Sequence, residues 1–365
     1  MFEKHLPMRA RSHRQPSALW VSTSLDTRGG VSSVVRMMRD TDFWDQWHVR
    51  HVATHRDGSI SKRIVTFLGA LPLLLRELVL RRPAIVHVHM GSNGSFFRKS
   101  IVVWLSRLSR LPVVIHVHSG NFHQFQADAP LLLRWYIRVT IESAAAVVAL
   151  GATWQLRLQA LAPKADVVVI PNAVRPASSI AQPAPGEPVR VLFLGRVGEP
   201  KGTFELLDAW AVALSDGMHA QLTIAGDGEV DRARAQVAEL GLGASVDILG
   251  WVPAQDVQGL LEYSHVLVLP SHNEGQPMAI LEAMGHGLCV VATDVGGIPD
   301  LVDNRCGLLV PVGDTSALAA ALTRVVTHTD ERVMFSNNAL QRIRNDFDLS
   351  VVARRYDELY RSVLQ

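Results

Sequence analysis

The sequence predicts an α/β protein built from two tandem doubly wound, Rossmann-like parallel-sheet domains that face one cleft. Three observations carry this. The chain has 365 residues, 48% of them hydrophobic, which suits two domains better than one. Twelve short apolar runs rich in β-branched residues alternate with helical patterns and lack polar alternation, as strands covered on both faces do. The runs form two series of six, separated by PNAVRPASSIAQPAPGEP (171–188), an aperiodic linker.

In the first series the strands are ALWVSTS (18–24), WHVRHVAT (47–54), AIVHVH (84–89), VVIHVH (113–118), AAVVAL (145–150) and DVVVI (166–170). In the second they are VRVLFLG (189–195), QLTIAG (221–226), VDILGW (246–251), HVLVLP (265–270), CVVATD (289–294) and GLLVP (307–311). We place an N-terminal domain at 1–173, joined by the last helix at 348–365, and a C-terminal domain at 174–347. The opening MFEKHLPMRARSHRQPS is basic but has no apolar core before a cleavage site, so it reads as a polar tail. Two cysteines, Cys289 and Cys306, make no disulfide framework and fit a reducing compartment.

Charge divides with the chain. Residues 1–173 hold 22 Lys and Arg against 10 Asp and Glu, a net +12, and the remainder holds 14 against 24, a net −10. The first half therefore faces anions, or the two halves attract each other across the cleft. The longest apolar stretch, KRIVTFLGALPLLLRELVLRR (62–82), is interrupted by Pro72, Arg76 and Glu77 and is short for a bilayer span. It reads as a buried helix, or as one lying in a membrane interface with its cations on anionic lipid.

His87/His89 and His116/His118 end two adjacent strands, and each pair shares a strand face. Zinc would need further convergent ligands. No Cys lies in this half and no His-rich helix completes a set, so we expect no metal and no cofactor. One histidine per strand should point into a ligand cleft, and the others should be packed and hydrogen-bonded.

LFLGRVGEPKGTFELLDAW (192–210) runs from a strand through Gly195 and Gly198 into a helix near Lys201-Gly202. Arg196 and Lys201 over free amides can hold a diphosphate, or they are surface cations on a solvated loop. Neither a Walker A motif nor G-x-G-x-x-G is present. SHNEGQPMAILEAMGHG (271–287) places Glu274 in a loop after a strand and Glu282 eight residues later on a helix starting near Pro277. The first carboxylate can bond sugar hydroxyls and the second a ribose diol. Gly275 and Gln276 offer backbone amides. TDVGGIPDLV (293–302) should add an amide nest at the same sheet edge.

The order G-R…K-G, I-A-G-D-G (224–228), E-G-x-P-M…E, then V-G-G-I-P resembles the retaining glycosyltransferases of family four, which have the GT-B fold. The resemblance is detailed from about Val189 to Pro311 and looser before. It implies that Glu274 contacts the transferred sugar, that Glu282 binds the ribose, and that Arg196 and Lys201 neutralise the leaving diphosphate. It also implies donor contacts from Gly195, Gly275, Gln276, Pro277 and Met278. In the first domain DTRGGVSSVV (26–35) matches the family's Gly-rich loop, with Gly29 and Gly30 toward the phosphates, and His118 matches its cleft histidine. PNAV (171–174) and the last helix, LSVVARRYDELYRSVL (349–364), resemble the family's interdomain crossings. Asp300 stands where the family often has Glu. Asp40-Thr41-Asp42 looks like the D-x-D of another glycosyltransferase fold, but at a helix end rather than a strand end, so it reads as solvated.

The resemblance implies a metal-independent hexosyltransferase that uses a GDP- or UDP-linked sugar and retains anomeric configuration. With no clear carboxylate nucleophile, front-face substitution is expected. Arg98 and Lys99 in GSNGSFFRKS (91–100) are the candidate acceptor-binding cations. The acceptor would be a saccharide, lipid-linked at the inner face of a bacterial membrane, as in capsule, exopolysaccharide or lipopolysaccharide assembly. The location would be cytoplasmic, with peripheral contact with anionic membrane. A GT-B-fold epimerase and a non-catalytic nucleotide-sugar-binding subunit are the competing classes. Nucleic-acid binding is disfavoured because no recognised module holds the basic residues.

Overall fold

The computed structural model describes residues 16–27 and 29–365, so the polar tail expected at the start lies, through residue 15, outside the described residues. All twelve expected runs form strands. The first sheet comprises β1 (Ala18–Ser22), β2 (Arg50–Ala53), β3 (Ile85–Met90), β4 (Val113–Val117), β5 (Ala146–Ala149) and β6 (Val167–Val169). The second comprises β7 (Val189–Leu194), β8 (Ala220–Ala225), β9 (Val246–Gly250), β10 (Val266–Leu269), β11 (Cys289–Thr293) and β12 (Gly307–Val310). Every pairing is parallel, in the orders β2-β1-β3-β4-β5-β6 and β12-β11-β10-β7-β8-β9. Helices on both faces bury β1, β3, β4, β5, β10 and β11 along their whole length, which is why these strands read as unbroken apolar runs.

Winding reverses between β1 and β3 in the first sheet and between β7 and β10 in the second. The crevice beyond the strand carboxyl ends at such a reversal is where an open α/β sheet takes ligands. The loops that follow β1, β7 and β10 carry the Gly29-Gly30, Arg196/Lys201 and Glu274 motifs, so the topology alone gathers them.

The second lobe has one core, which includes Phe193, Trp210, Leu281 and Met284. The first lobe has one core on each side of its sheet. On one side Trp20, Phe43 and Trp47 pack against Tyr356 and Tyr360 of the last helix, Leu349–Leu364. The chain crosses back within two residues, since Phe347 lies in the second lobe's core and Leu349 in the first lobe's. Val174 ties the two crossings together: its amide donates to Phe347 O and its carbonyl accepts from Leu349 N, both at 3.0 Å.

The stretch 62–82 departs from a buried helix. Helix Ile60–Leu75 and its extension Arg76–Arg81 bury Phe67, Ala70, Leu74, Glu77 and Leu78. Ile60, Ile64, Val65, Leu68, Leu73, Val79 and Leu80 are exposed. Burying only one stripe leaves most of this apolar helix facing water, which a core helix would not do. No helix among the described residues is long and apolar enough to cross a membrane.

The Tyr360 hydroxyl accepts from Trp20 Nε1 and bonds His87 Nδ1, both at 2.8 Å, inside the fully buried aromatic core. Tyr360→Phe strands two buried polar partners and should cost about 1–3 kcal/mol. Chemical unfolding of the two proteins measures it, and equal stability would contradict the role given to this hydroxyl.

Candidate functional site

Two adjoining cavities occupy the crevice, a smaller of 430 Å³ and a larger of 1110 Å³, and Gly30, Leu194, Met278 and Ala279 line both. The smaller holds His118, Lys201, Glu274, Gly275, Gln276 and Pro277. The larger holds Gly29, Gly195, Arg196 and Glu282. Every residue the sequence assigned to the donor thus lines one continuous space.

Lys201 reaches this space from the short 3-10 turn Glu199–Lys201, which ends at Gly202 with φ +66°. A Cβ on Gly202 would sit 2.1 Å from Pro270 O, so only glycine lets the turn lie against the loop after β10. Lys201 Nζ then bonds Glu274 Oε1 at 2.5 Å, and Ser271 Oγ donates to the same oxygen at 2.8 Å. The Glu274 carboxylate is buried beside the cavity and held on one oxygen by these two donors.

The loop 274–277 also enters the first lobe. Gln276 Oε1 accepts from Asn172 N at 2.6 Å, and its Nε2 donates to Leu150 O at 2.7 Å. Trp154 Nε1 donates to Gly275 O at 2.8 Å. Asn121 and Asn273 bond across the crevice. The Gln276 side chain is thereby an interlobe brace, and the Gly275 and Gln276 backbone N–H groups border the smaller cavity.

The Gly296-Gly297 turn was expected to offer a ligand a further amide nest. Instead it packs beneath this loop. A Cβ on Gly296 would lie 1.9 Å from Glu274 O, one on Gly297 2.0 Å from Gly275 O, and Gly297 N donates to Glu274 O at 3.3 Å. Its glycines serve close backbone approach. Asp300 reaches the other lobe and accepts from Thr153 N at 3.0 Å and Thr153 Oγ1 at 3.1 Å, so it caps helix Ala152–Leu161.

Of the four histidines only His118 borders the cavity, in place of one from each strand. Its Nε2 lies 2.8 Å from His89 Nδ1. Burial holds its imidazole down at about 3, so it is neutral at ordinary pH. His87, His89 and His116 are buried behind it, and each makes a hydrogen bond through Nδ1 alone.

Glu282 stands on helix Met278–Gly285 against the larger cavity. Burial pushes its carboxyl up to about 7, with the Arg36 guanidinium opposing. Arg196 is exposed on the same cavity.

Arg98 and Lys99 separate. Arg98 stays half-buried near His55, with Nη2 to Nδ1 at 3.4 Å. Lys99 is buried, donating to Ser22 O at 2.9 Å and to Thr54 Oγ1. Burial and then Arg98 hold its ammonium well below the usual range. It fastens the ends of β1 and β2 and does not face the crevice, because one helical step turns its side chain toward the sheet. Arg36, Arg56, Lys62 and Arg63 line the larger cavity instead. Sequence reading missed these four, and also Trp251 and Val252, which follow β9 at the same sheet edge. For Trp251 and Val252 the signal was position at a strand's carboxyl end; the four cations come together only through the fold.

Two family models match the chain in succession: "Glycosyltransferase Family 4" over residues 21–178 and "Glycosyl transferases group 1" over residues 188–328. The chain is 30% identical over 181 residues to the amylovoran biosynthesis glycosyltransferase AmsK of Erwinia amylovora, covering 47% of this chain and 44% of that protein. It is 34% identical over 225 residues to the phosphatidyl-myo-inositol mannosyltransferase of Mycobacterium leprae, covering 60% and 58%. The alignments thus span about half the length of these relatives. Among solved structures, sucrose-phosphate synthase of Thermosynechococcus elongatus superposes with a TM-score of 0.77 at 18% identity, over 95% of this chain and 99% of that one. HepE of Anabaena, solved with UDP and glucose, gives 0.73 at 20% identity over 95% and 100%.

The raised carboxyl of Glu282 fixes a pH dependence. Its stabilising contribution is fully present below the ordinary carboxyl value of 4.5 and is lost as pH rises through about 7. Between pH 5 and 8 the wild type should therefore lose on the order of 2 kcal/mol relative to Glu282→Gln, measured by chemical unfolding of both. Parallel pH profiles would show that Glu282 titrates normally.

Proposed function

The chain belongs to the family 4 glycosyltransferases and has their two-lobed GT-B fold, and on that premise we propose that it moves a hexose from a GDP- or UDP-linked donor to a saccharide acceptor in bacterial polysaccharide biosynthesis. The observation that carries this is the continuous crevice with the Lys201–Glu274 pair at one end and Glu282 at the other. In this reading the second lobe (174–347) takes the donor. Its ribose lies on Glu282, its base runs toward Trp251 and Val252, and its diphosphate lies between Arg196, Lys201 and the amides of Gly275 and Gln276. The transferred sugar then meets Glu274 and His118.

Loss of the diphosphate builds negative charge where Arg196, Lys201 and a helix N-terminus already stand, so fixed cations of the chain stabilise the leaving group. Lys201 holds Glu274 in place and serves the diphosphate from the same position. Glu274, the carboxylate bordering the smaller cavity, is engaged by Lys201 and Ser271, which supports a mechanism without a carboxylate nucleophile. In this reading the reaction is a front-face substitution with retention. The acceptor hydroxyl attacks on the side the phosphate leaves, and the departing phosphate oxygen takes its proton. Neutral His118 donates to, or accepts from, a sugar hydroxyl and leaves the forming positive charge undisturbed.

The first lobe (1–173, with 348–365) takes the acceptor. Arg56, Lys62 and Arg63 lie at the outer end of the crevice beside the exposed apolar helix Ile60–Leu75, and Arg98 stands close by. This pairing suits a lipid-linked saccharide phosphate, with the helix resting on the inner face of the cytoplasmic membrane.

Product formation from a panel of GDP- and UDP-sugars, with the new linkage read by NMR, tests the reaction. Lys201→Ala should lower turnover by roughly 10²–10³-fold, as loss of one oxyanion donor does. Unchanged turnover would remove Lys201 from the mechanism, and an inverted product would remove front-face substitution. Cosedimentation with anionic vesicles tests the membrane contact. Binding should appear at low salt and fall with Leu68→Ser/Leu80→Ser, and equal recovery with and without vesicles would contradict it.

A further inference from the structure

His87, His89 and His116 form a fully enclosed cluster beneath the crevice, on the face of the first sheet that the last helix covers. Each spends its Nδ1 on a neighbour. His87 bonds the Tyr360 hydroxyl at 2.8 Å, His116 the Tyr356 hydroxyl at 3.2 Å, and His89 the His118 Nε2 at 2.8 Å. Each leaves Nε2 buried with no hydrogen-bond partner. Three orphaned nitrogens in one place are costly, because each forfeits its solvation without compensation. The three rings are also grouped: one ring nitrogen from each lies within 4.8 Å of the others.

From this we infer that His87, His89 and His116 hold a transition-metal ion through their Nε2 atoms. The ring spacing fits. With metal–nitrogen bonds near 2.0–2.1 Å in a tetrahedral set, the imidazole centroids stand about 5 Å apart. The observed centroid separations are 4.8 Å for His87–His89, 5.5 Å for His87–His116 and 5.3 Å for His89–His116. The outer partners fit as well, since a ligating imidazole fixes its orientation through its other nitrogen. Two phenols and His118 supply those partners here.

The surroundings select the ion. No Cys, Asp or Glu joins the cluster among the described residues. A monovalent d10 ion, copper(I), therefore enters this core with less uncompensated charge than zinc, whose second charge would need a bound hydroxide. Either ion would tie β3 to β4 directly behind His118 and hold His89 against it. That is a structural and positioning role, separate from the transfer reaction.

The test uses the full-length chain purified without a histidine tag. Elemental analysis after exhaustive dialysis should find about one copper or zinc per chain, and X-ray absorption at that metal's edge should give three nitrogen scatterers near 2.0 Å. His116→Gln and His89→Gln should each lose most of that metal. Titration of metal-depleted protein with zinc or with copper(I) should raise the melting temperature of the wild type only. Which ion does so distinguishes the two. Metal below about 0.1 equivalents with no melting shift from either ion, or the same metal content in wild type and variants, would overturn the site. So would an absorption spectrum without three nitrogens, whatever the variants do.

Discussion

The loop Glu274–Pro277 is folded by both lobes at once, and most of the crevice follows from that. Its backbone sits so close to the first lobe that a Cβ on Gly120 would lie 2.7 Å from Gly275 N. The Gln276 side chain bonds the first lobe, at Asn172 N and Leu150 O. Beneath it the Gly296-Gly297 turn leaves no room for a side chain. A loop over-determined in this way fixes Glu274 without relying on its intrinsic preferences. Lys201 and Ser271 then fix the carboxylate itself. The lobes and the loop are one constraint: parting the lobes would free Gln276, and freeing Gln276 would loosen Glu274.

The electrostatics follow the same division. The first half of the chain carries a net +12 and the second −10. Cations from both lobes reach the crevice, with Arg36, Arg56, Lys62 and Arg63 on one wall and Arg196 and Lys201 on the other. Two of the carboxylates that border it, Glu274 and Glu282, differ in environment. Glu274 is paired with a lysine, and Glu282 has only the Arg36 charge against burial. Lys201 and Ser271 fix the Glu274 carboxylate in place, whereas the raised carboxyl of Glu282 can exchange its proton for a hydroxyl donor. Those are the properties wanted of a sugar contact and of a ribose contact.

Much of this was legible in the sequence because the signals were local. β-branched runs without polar alternation gave all twelve strands, and Gly-containing loops after them gave residues that line the crevice. What was hidden depended on side-chain direction or on long-range packing. Arg98 and Lys99 are adjacent in sequence, yet successive helical positions point about 100° apart, so one lies half-buried beside His55 and the other is buried against the sheet. The stretch at 62–82 reads as a mostly apolar run interrupted by Pro72, Arg76 and Glu77, and how little of it packs onto the lobe depends on long-range packing. The four histidines share one face of β3 and β4 as strand period requires. That three of their Nε2 atoms lack partners depends on where Tyr356 and Tyr360 land, more than 230 residues away by sequence.

The central claim is that the crevice binds a nucleoside diphosphate across Arg196, Lys201 and Glu282. Thermal unfolding with millimolar UDP, GDP or ADP tests it most directly. A ligand at 100 times its dissociation constant adds about 2.7 kcal/mol, a readily seen shift in melting temperature. The account predicts such a shift with UDP or GDP, diminished in Lys201→Ala. No shift with any of the three, or with their sugar conjugates, would contradict it.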